Sequence, residues 1–208
     1  MSGTFYAENR EQWRAWLSEN FMREKEIWFV FPMSGSGEVG VSYNDAVEEA
    51  LCFGWIDSTA KNLDEHHSAR RFTPRKAGSP YSRPNIERLS WLEERGMIHP
   101  SVRESVLPII NAPYVFPEDI LDAIRADGRA WENYQSFTEA YKRIRIAYID
   151  AARHRPEEFR KRLSSFISKT REGRLISGYG GVDKYYGYVS PNLTTDEKEN
   201  NSAEIQNR

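Results

Sequence analysis

The side chains best suited to chemistry are concentrated between residues 51 and 85. Asp57 follows an apolar and aromatic stretch, and Arg71 and Arg75 stand four residues apart with Pro74 between them. In an extended or turning segment two such arginines can converge on one anion, because the planar guanidinium donates parallel hydrogen bonds to carboxylate or phosphate oxygens. These residue types predict an anion-binding pocket.

Small polar side chains follow the arginines, at the entry of a predicted helix. Pro84 and the apolar stripe after it predict a helix that begins near Ser82. Its first turn presents unpaired N–H groups and the positive end of the helix dipole, and Ser79 and Asn85 add side-chain donors. Trp55 would keep water out of the pocket. The predicted ligand-binding residues are Trp55, Asp57, Arg71, Arg75, Ser79, Ser82 and Asn85.

The same residues also have structural interpretations. Ser82 would only cap its helix, and Arg71 would pair with Asp57 to fasten a loop to the sheet. Trp55 would belong to the core. Asp57 would be a structural partner, a ligand contact, or a general base with a pKa raised by desolvation. No second carboxylate stands at a spacing that completes an acid–base pair, so the sequence names no catalytic residue and leaves open whether the protein is an enzyme.

The other reactive side chains add no further site. Cys52 ends an apolar helical stretch without a basic neighbour in sequence, which is typical of an inert buried thiol. His66 and His67 are adjacent, so their side chains diverge, and no Cys or His recurs at ligand spacing. We therefore expect no metal and no other cofactor.

The segment also carries a family resemblance. Residues 53–57 (FGWID) and 71–75 (RFTPR), followed by Ser79, by residues 81–82 and by Asn85, resemble the signature of the bacterial family called bacteriocin-protection, YdeI or OmpD-associated. This resemblance implies little chemistry, because the activity of that family is essentially unassigned.

The resemblance extends from about residue 13 to about residue 173 and is densest between residues 42 and 96. Two positions depart from the family pattern, since Ser58 replaces a usual glycine and Tyr81 replaces a usual tryptophan. Residues 156–159 (PEEF) also replace a Pro-Glu-Thr-Arg pattern, so no role of that arginine carries over.

The composition is that of a globular protein. A chain of 208 residues can bury roughly 70% of its unfolded surface, and 13% aromatic residues supply core material. The longest apolar runs, such as residues 27–31, are far shorter than the ~18 residues of a membrane span. Neither a basic leader nor an apolar stretch opens the sequence, and there is a single cysteine, so we expect a cytoplasmic protein.

The distribution of charge suggests a second function. The net charge is −2, yet residues 142–174 are rich in Lys and Arg, and such helices could bind nucleic acid or another polyanion. A pI near 6.1 and the lack of any recognised nucleic-acid motif do not favour this alternative over a solvated helical face. A third alternative is a hydrolase or transferase that uses Asp57 as its base.

The predicted elements define an α+β fold, with a small mixed or antiparallel sheet and flanking helices followed by a helical segment. Helices are predicted over residues 9–20, 42–54 and 82–96, and strands over residues 26–32, 39–42, 55–58 and 69–73. Helical patterns follow from Pro100 onward, with apolar faces at 117–124, 137–148 and 159–167.

The domain prediction has three parts. Residues 1–111 form the α+β domain with the candidate site, and residues 112–175 form a helical domain. Residues 176–208 begin with a Tyr/Gly-rich arm, which would either dock or act as a linker, and end in a polar tail that we expect to be disordered. The sequence names no ligand, no protein partner and no oligomeric state.

Overall fold

The computed structural model describes residues 3–177 and 183–185. This part of the chain contains eight α-helices, one four-stranded mixed sheet and a short 3-10 helix, which confirms the expected α+β class. None of the helices in the described part is both long and apolar enough to cross a membrane.

The chain forms two compact units, and the helix α3 (Arg83–Glu94) contributes to both. The first unit consists of residues 1–81 and 92–108, and the second of residues 82–91 and 109–208, as far as these are described. The sequence had assigned 82–91 to the first domain. In the structure residues 82–91 belong to the second unit. This assignment depends on contacts with distant parts of the chain, which a local sequence pattern does not reveal.

The sheet of the first unit has the strand order β1-β2-β4-β3. The strands are β1 (Thr4–Tyr6), β2 (Ile27–Pro32), β3 (Trp55–Asn62) and β4 (His67–Pro74). β1 pairs with β2 in parallel, and the other two pairs are antiparallel. The last three strands were predicted. The predicted strand over residues 39–42 is wrong: those residues form a loop, and β2 instead pairs with β4 and β1, of which β1 is too short to show a periodic pattern.

Two helices of the first unit begin where the sequence predicts. Asn9 caps α1 (Arg10–Asn20) and accepts a hydrogen bond from the N–H of Gln12 at 3.0 Å. Ser42 caps α2 (Tyr43–Cys52), which ends just before Gly54 with a φ of 70°. Because L-residues rarely adopt this left-handed conformation, glycine is the residue that lets the chain turn from α2 into β3.

The core of the first unit lies between α1 and one face of the sheet. The Trp13 ring lies 4.7 Å from the Phe29 ring and 5.5 Å from the Phe72 ring, measured between centroids. All three residues are fully buried, so each contributes about 1.5–3 kcal/mol through burial. This packing fixes which face of β2 and β4 points inward.

The second unit is helical. Besides α3 it contains α4 (Pro100–Ile110) in part, α5 (Glu118–Arg125), α6 (Gly128–Ser136), α7 (Glu139–Asp150) and α8 (Pro156–Arg171). The helices that contain the three predicted apolar faces are present, and α4 and α6 lie in the region predicted to be helical but had no apolar face of their own in the prediction. The buried side chains of the second unit include Ile124, Tyr134, Tyr141, Ile144 and Phe166.

Part of the Tyr/Gly-rich arm belongs to this core. Tyr185 is fully buried, and its ring lies 5.6 Å from that of Trp91. Docking of the arm is therefore observed at this residue. Residues 178–182 and 186–208 lie outside the described residues, so the expected disorder of the polar tail stays a prediction.

Candidate functional site

The two neighbouring arginines of β4 point to opposite faces of the sheet. Arg70 pairs in register with Phe29, and Arg71 pairs with Trp28. Directly opposed residues of antiparallel strands share a face, and successive residues alternate. Arg70 therefore lies on the same face as the buried Phe29 and Phe72, whereas Arg71 lies on the other face with Trp28.

Arg71 and Arg75 have separate partners. The Nε of Arg71 donates to the Glu26 carboxylate at 2.7 Å, and its Nη2 donates to the same oxygen. Arg75 donates from Nη2 to the carbonyls of Ser79 and Pro80 at 3.2 and 3.0 Å, so it stabilises the turn that follows β4. The convergence on one anion that their spacing predicted is not seen in these contacts.

The other predicted site residues also have structural roles. Trp55 is 1% exposed, and its indole N–H donates to the Phe21 carbonyl at 3.1 Å, which places it in the core. Ser82 and Asn85 belong to the second unit. The carbonyl of Ser82 accepts the N–H of Asn85 at 3.0 Å, and the amide oxygen of Asn85 accepts a hydrogen bond from Arg88 at 2.9 Å.

Asp57 binds Arg70 and not Arg71. Its Oδ2 accepts hydrogen bonds from Nη1 of Arg70 at 3.0 Å and from the Tyr43 hydroxyl at 2.8 Å. The interpretation that paired Asp57 with Arg71 is therefore wrong by one residue. Asp57 is in register with Phe72, and the residue two positions from Phe72 on the same face is Arg70.

The Arg70 guanidinium is held in place on two sides. Asp57 binds one nitrogen, and the Tyr43 ring lies under the group, with its centroid 4.3 Å from Cζ. The Arg70 side chain is still 33% exposed, whereas that of Asp57 is 14% exposed. Within the described part of the chain, Nε and Nη2 of Arg70 have no hydrogen-bond partner, so these donors are available to a ligand.

Arg70 lines a cavity of about 520 Å³ in the first unit. This volume lies within the roughly 300–1,000 Å³ of small-molecule sites. The cavity lies between the end of β2, the start of β4, the first residues of α2 and the loop 33–42. Its walls include Phe31, Met33, Ser42, Tyr43, Ser68 and Arg70. Asp57 binds Arg70 but does not itself line the cavity.

The loop can reach this position because residue 40 is a glycine. A Cβ atom on Gly40 would lie 2.6 Å from Cδ of Pro32, closer than packed atoms approach. The loop is also tied down at both ends, since the N–H of Met33 donates to the His66 carbonyl at 2.7 Å and that of Val41 to the Ala7 carbonyl at 3.3 Å. The cavity therefore has a fixed wall.

Charges of both signs surround the cavity. Arg70 and the positive end of α2 favour an anion, whereas Glu38 is a carboxylate in the lining. Glu38 is bound by His67 (Nε2–Oε1 3.1 Å), which also contacts Asp64 (Nδ1–Oδ1 2.9 Å). The hydrogen bonds to Glu38 and Asp64 raise the pKa of His67 above its ordinary value. In the described part, no group of His, Cys, Asp and Glu side chains is placed to hold a metal ion.

The sequence contained a signal for Arg70 that motif spacing does not reveal. Phe72 was recognisable as a core residue of a strand, and alternation places residue 70 on its face and residue 71 on the opposite face. No pattern in the sequence indicated that Tyr43 belongs to the site. Its contact with Asp57 joins residues 14 positions apart and depends on how α2 meets the sheet.

The basic helices of the second unit are largely neutralised by their own partners. Lys142, Arg143, Arg153, Arg162, Lys169, Arg171 and Arg174 each form an ion pair with a carboxylate. Arg145 donates to the Ile176 carbonyl. Arg155, Arg160 and Lys161 form no ion pair with any described residue. Few of these charges therefore remain for phosphate groups.

The fold and the cavity define an α+β protein with one sheet-containing unit and one helical unit. Residues 113–173 match the model of the family described as Bacteriocin-protection, YdeI or OmpD-Associated, the same family that the sequence resemblance indicated. Residues 5–105, which include the FGWID motif and the Arg70 cavity, match a model described as Domain of unknown function (DUF8412). No curated protein and no solved structure matches the chain significantly.

Proposed function

We propose that this protein binds a small anionic ligand in the cavity beside Arg70. The observation that carries the proposal is a partly exposed guanidinium that Asp57 holds in place and that keeps two donor nitrogens for a ligand. A positioned arginine loses little side-chain freedom when an anion binds, so more of the interaction energy appears as affinity.

The proposal keeps the ligand class that the sequence predicted and changes the arginine that binds it. Asp57 keeps one of its predicted roles, that of orienting an arginine. Arg71 and Arg75 are not part of the proposed site, because neither lines the cavity. Arg71 directs Nε and Nη2 to Glu26, and Arg75 directs Nη2 to the turn after β4. Polyanion binding by the basic helices and catalysis by Asp57 stay predictions that no described contact favours.

The test is a ligand screen with a matched pair of variants. Small carboxylates and inorganic phosphate are added to the full chain, and unfolding is followed by thermal shift. A ligand at a hundred times its dissociation constant stabilises the folded state by roughly 2.7 kcal/mol. We expect Arg70→Gln to abolish this stabilisation and Arg71→Gln, which changes the neighbouring arginine on the opposite face, to leave it intact.

Circular dichroism and urea unfolding of both variants control for loss of the fold. The proposal is wrong if stabilisation by anions persists in folded Arg70→Gln. If it is instead lost in Arg71→Gln combined with Arg75→Gln, the site predicted from sequence spacing is the correct one. Binding to the basic helices would differ from both, because it would need a long polyanion and would weaken steeply with salt.

A further inference from the structure

We infer that the ligand of the Arg70 cavity is a monocarboxylate attached to an apolar, ring-sized body. This inference depends on the proposed function and adds the chemical class of the ligand. Three features of the cavity carry it: the edge of the guanidinium that remains for a ligand, the balance of charge, and the apolar wall.

The free edge of Arg70 suits a carboxylate. Asp57 occupies Nη1, which leaves Nε and Nη2 side by side on one edge of the planar group. The two N–H groups on that edge are parallel, and their separation matches that of the two oxygens of a carboxylate, which can accept both hydrogen bonds at once. A bidentate carboxylate therefore fits the donors that are present.

The balance of charge disfavours a second negative charge on the ligand. Arg70 is already bonded to Asp57, and Glu38 lines the same cavity. A phosphate monoester with two charges would lie near both carboxylates, and the positive groups that compensate it are Arg70, the start of α2 and His67, which is already bound to Glu38 and Asp64. A ligand with a single charge meets less repulsion, which favours a carboxylate over a phosphate monoester.

Part of the cavity wall is apolar and partly exposed. The rings of Phe31 and Tyr43 lie 6.2 Å apart in an edge-to-face arrangement. Met33 and Tyr43 line the cavity and are each 38% exposed. Covering such side chains removes apolar surface from water, so a ligand gains affinity if it carries an apolar group beside its carboxylate.

The experiment compares four probes by isothermal titration of the full chain: phenylacetate, acetate, phenyl phosphate and inorganic phosphate. We expect phenylacetate to bind about tenfold or more tightly than acetate, because only phenylacetate covers the apolar wall. We also expect phenylacetate to bind about tenfold more tightly than phenyl phosphate, because its single charge meets less repulsion from Asp57 and Glu38.

Two variants separate the two parts of the ligand. Arg70→Lys keeps the positive charge but removes the parallel donors, so it should weaken phenylacetate and phenyl phosphate alike and keep the preference between them, which depends on charge. Met33→Ser should weaken phenylacetate binding and leave acetate unchanged. Arg71→Lys is the matched control for the first variant and should change neither result.

Each outcome has a defined meaning. The inferred carboxylate is wrong if phenyl phosphate binds as tightly as phenylacetate, and the inferred apolar body is wrong if acetate does. In both cases binding that depends on Arg70 would still support the proposed function. If none of the four probes binds, the proposed function and the inference are both overturned.

Discussion

Each unit contains a buried ionic cluster, and the two clusters have opposite compositions. In the first unit the Arg10 guanidinium is bound by Asp45, Glu48 and Glu49 at 2.8, 3.0 and 2.6 Å. In the second unit the relation is reversed, because the single carboxylate of Glu87 binds both Arg83 and Arg143, each at 2.7 Å. One cluster is rich in carboxylates and the other in guanidinium groups.

The pKa shifts of the arginines reflect this difference. Burial lowers the pKa of Arg10, but the hydrogen bond to Glu49 and the attraction of the neighbouring carboxylates outweigh it, so the pKa is raised. Burial also lowers the pKa of Arg83, and there the attraction of Glu87 does not compensate, in part because Arg143 repels the same charge. Several carboxylates thus stabilise the positive charge of Arg10 in the first unit, whereas Glu87 is the carboxylate that stabilises the positive charge of Arg83 in the second.

The Arg70–Asp57 pair is an intermediate case. One carboxylate binds one guanidinium at 3.0 Å, and the pair lies at a cavity instead of in the core. Arg10 uses four of its five N–H groups on three carboxylates, whose negative charge would also repel an anionic ligand. In the second cluster both arginines direct donors to Glu87. The one-to-one pair at a cavity is the arrangement that leaves donors available.

Substitution of Glu87 is the most direct test of the difference between the two clusters. Glu87 is 1% exposed, so Glu87→Gln would leave two buried guanidinium groups without their shared carboxylate. We expect the free energy of unfolding to fall by about 3–5 kcal/mol, the usual cost of removing one partner of a buried ion pair. Urea unfolding measures this change. A loss below about 1 kcal/mol would mean that Glu87 is not the main compensating charge.

The corresponding change in the first unit should cost less. Glu49 is 2% exposed and binds both Arg10 and Arg14. In Glu49→Gln the remaining carboxylates still compensate Arg10, and the repulsion among the acids decreases. We expect a loss of about 1–3 kcal/mol in the same urea experiment. A loss equal to that of Glu87→Gln would contradict the idea of shared compensation.

Among these substitutions, removal of an exposed ion pair should change the free energy of unfolding least. Arg125 contacts Glu118 and Asp122 on α5, where all three side chains are at least 40% exposed. Water and salt screen such pairs, so Arg125→Gln should leave the free energy of unfolding unchanged within the error of urea unfolding. A clear destabilisation would show that burial is not what separates the two clusters from surface pairs.

The pKa of the Cys52 thiol depends on residues of the first cluster. Cys52 does not change the stability of the protein near neutral pH. Burial and then the nearby Glu49 raise the pKa of the thiol to about 12, although Arg14 and Arg10 act in the opposite direction. We expect no alkylation by iodoacetamide in the folded protein at about pH 8.5, and rapid alkylation in guanidinium chloride. Reaction of the folded protein would show that the thiol is accessible or ionised.

The same pKa shift predicts a pH dependence of stability. The ordinary pKa of the thiol is 9.0, so the unfolded chain loses this proton before the folded protein does. The stability that Cys52 contributes is therefore complete below pH 9.0 and decreases as the pH rises toward about 12. Urea unfolding should show that the protein loses free energy of unfolding relative to Cys52→Ala as the pH rises across this range.

Local signals predicted much of the fold. The caps Asn9 and Ser42 and the helix-ending Gly54 act within one or two turns, so they could be identified from neighbouring residues. Strands with a dense apolar pattern were predicted for the same reason. The three-residue β1 was missed, because its place in the sheet depends on pairing with β2 more than 20 positions away.

The sequence by itself determined the α+β class, the family resemblance and the presence of arginines near Asp57. Tertiary structure decided which arginine Asp57 binds and where a cavity forms. The physical reason is that helix caps and strand patterns depend on near neighbours, whereas a side-chain pair across a sheet depends on register. Alternation with Phe72 separates the faces of Arg70 and Arg71 within one strand, whereas the register that places Asp57 opposite Phe72 is fixed only in the folded chain.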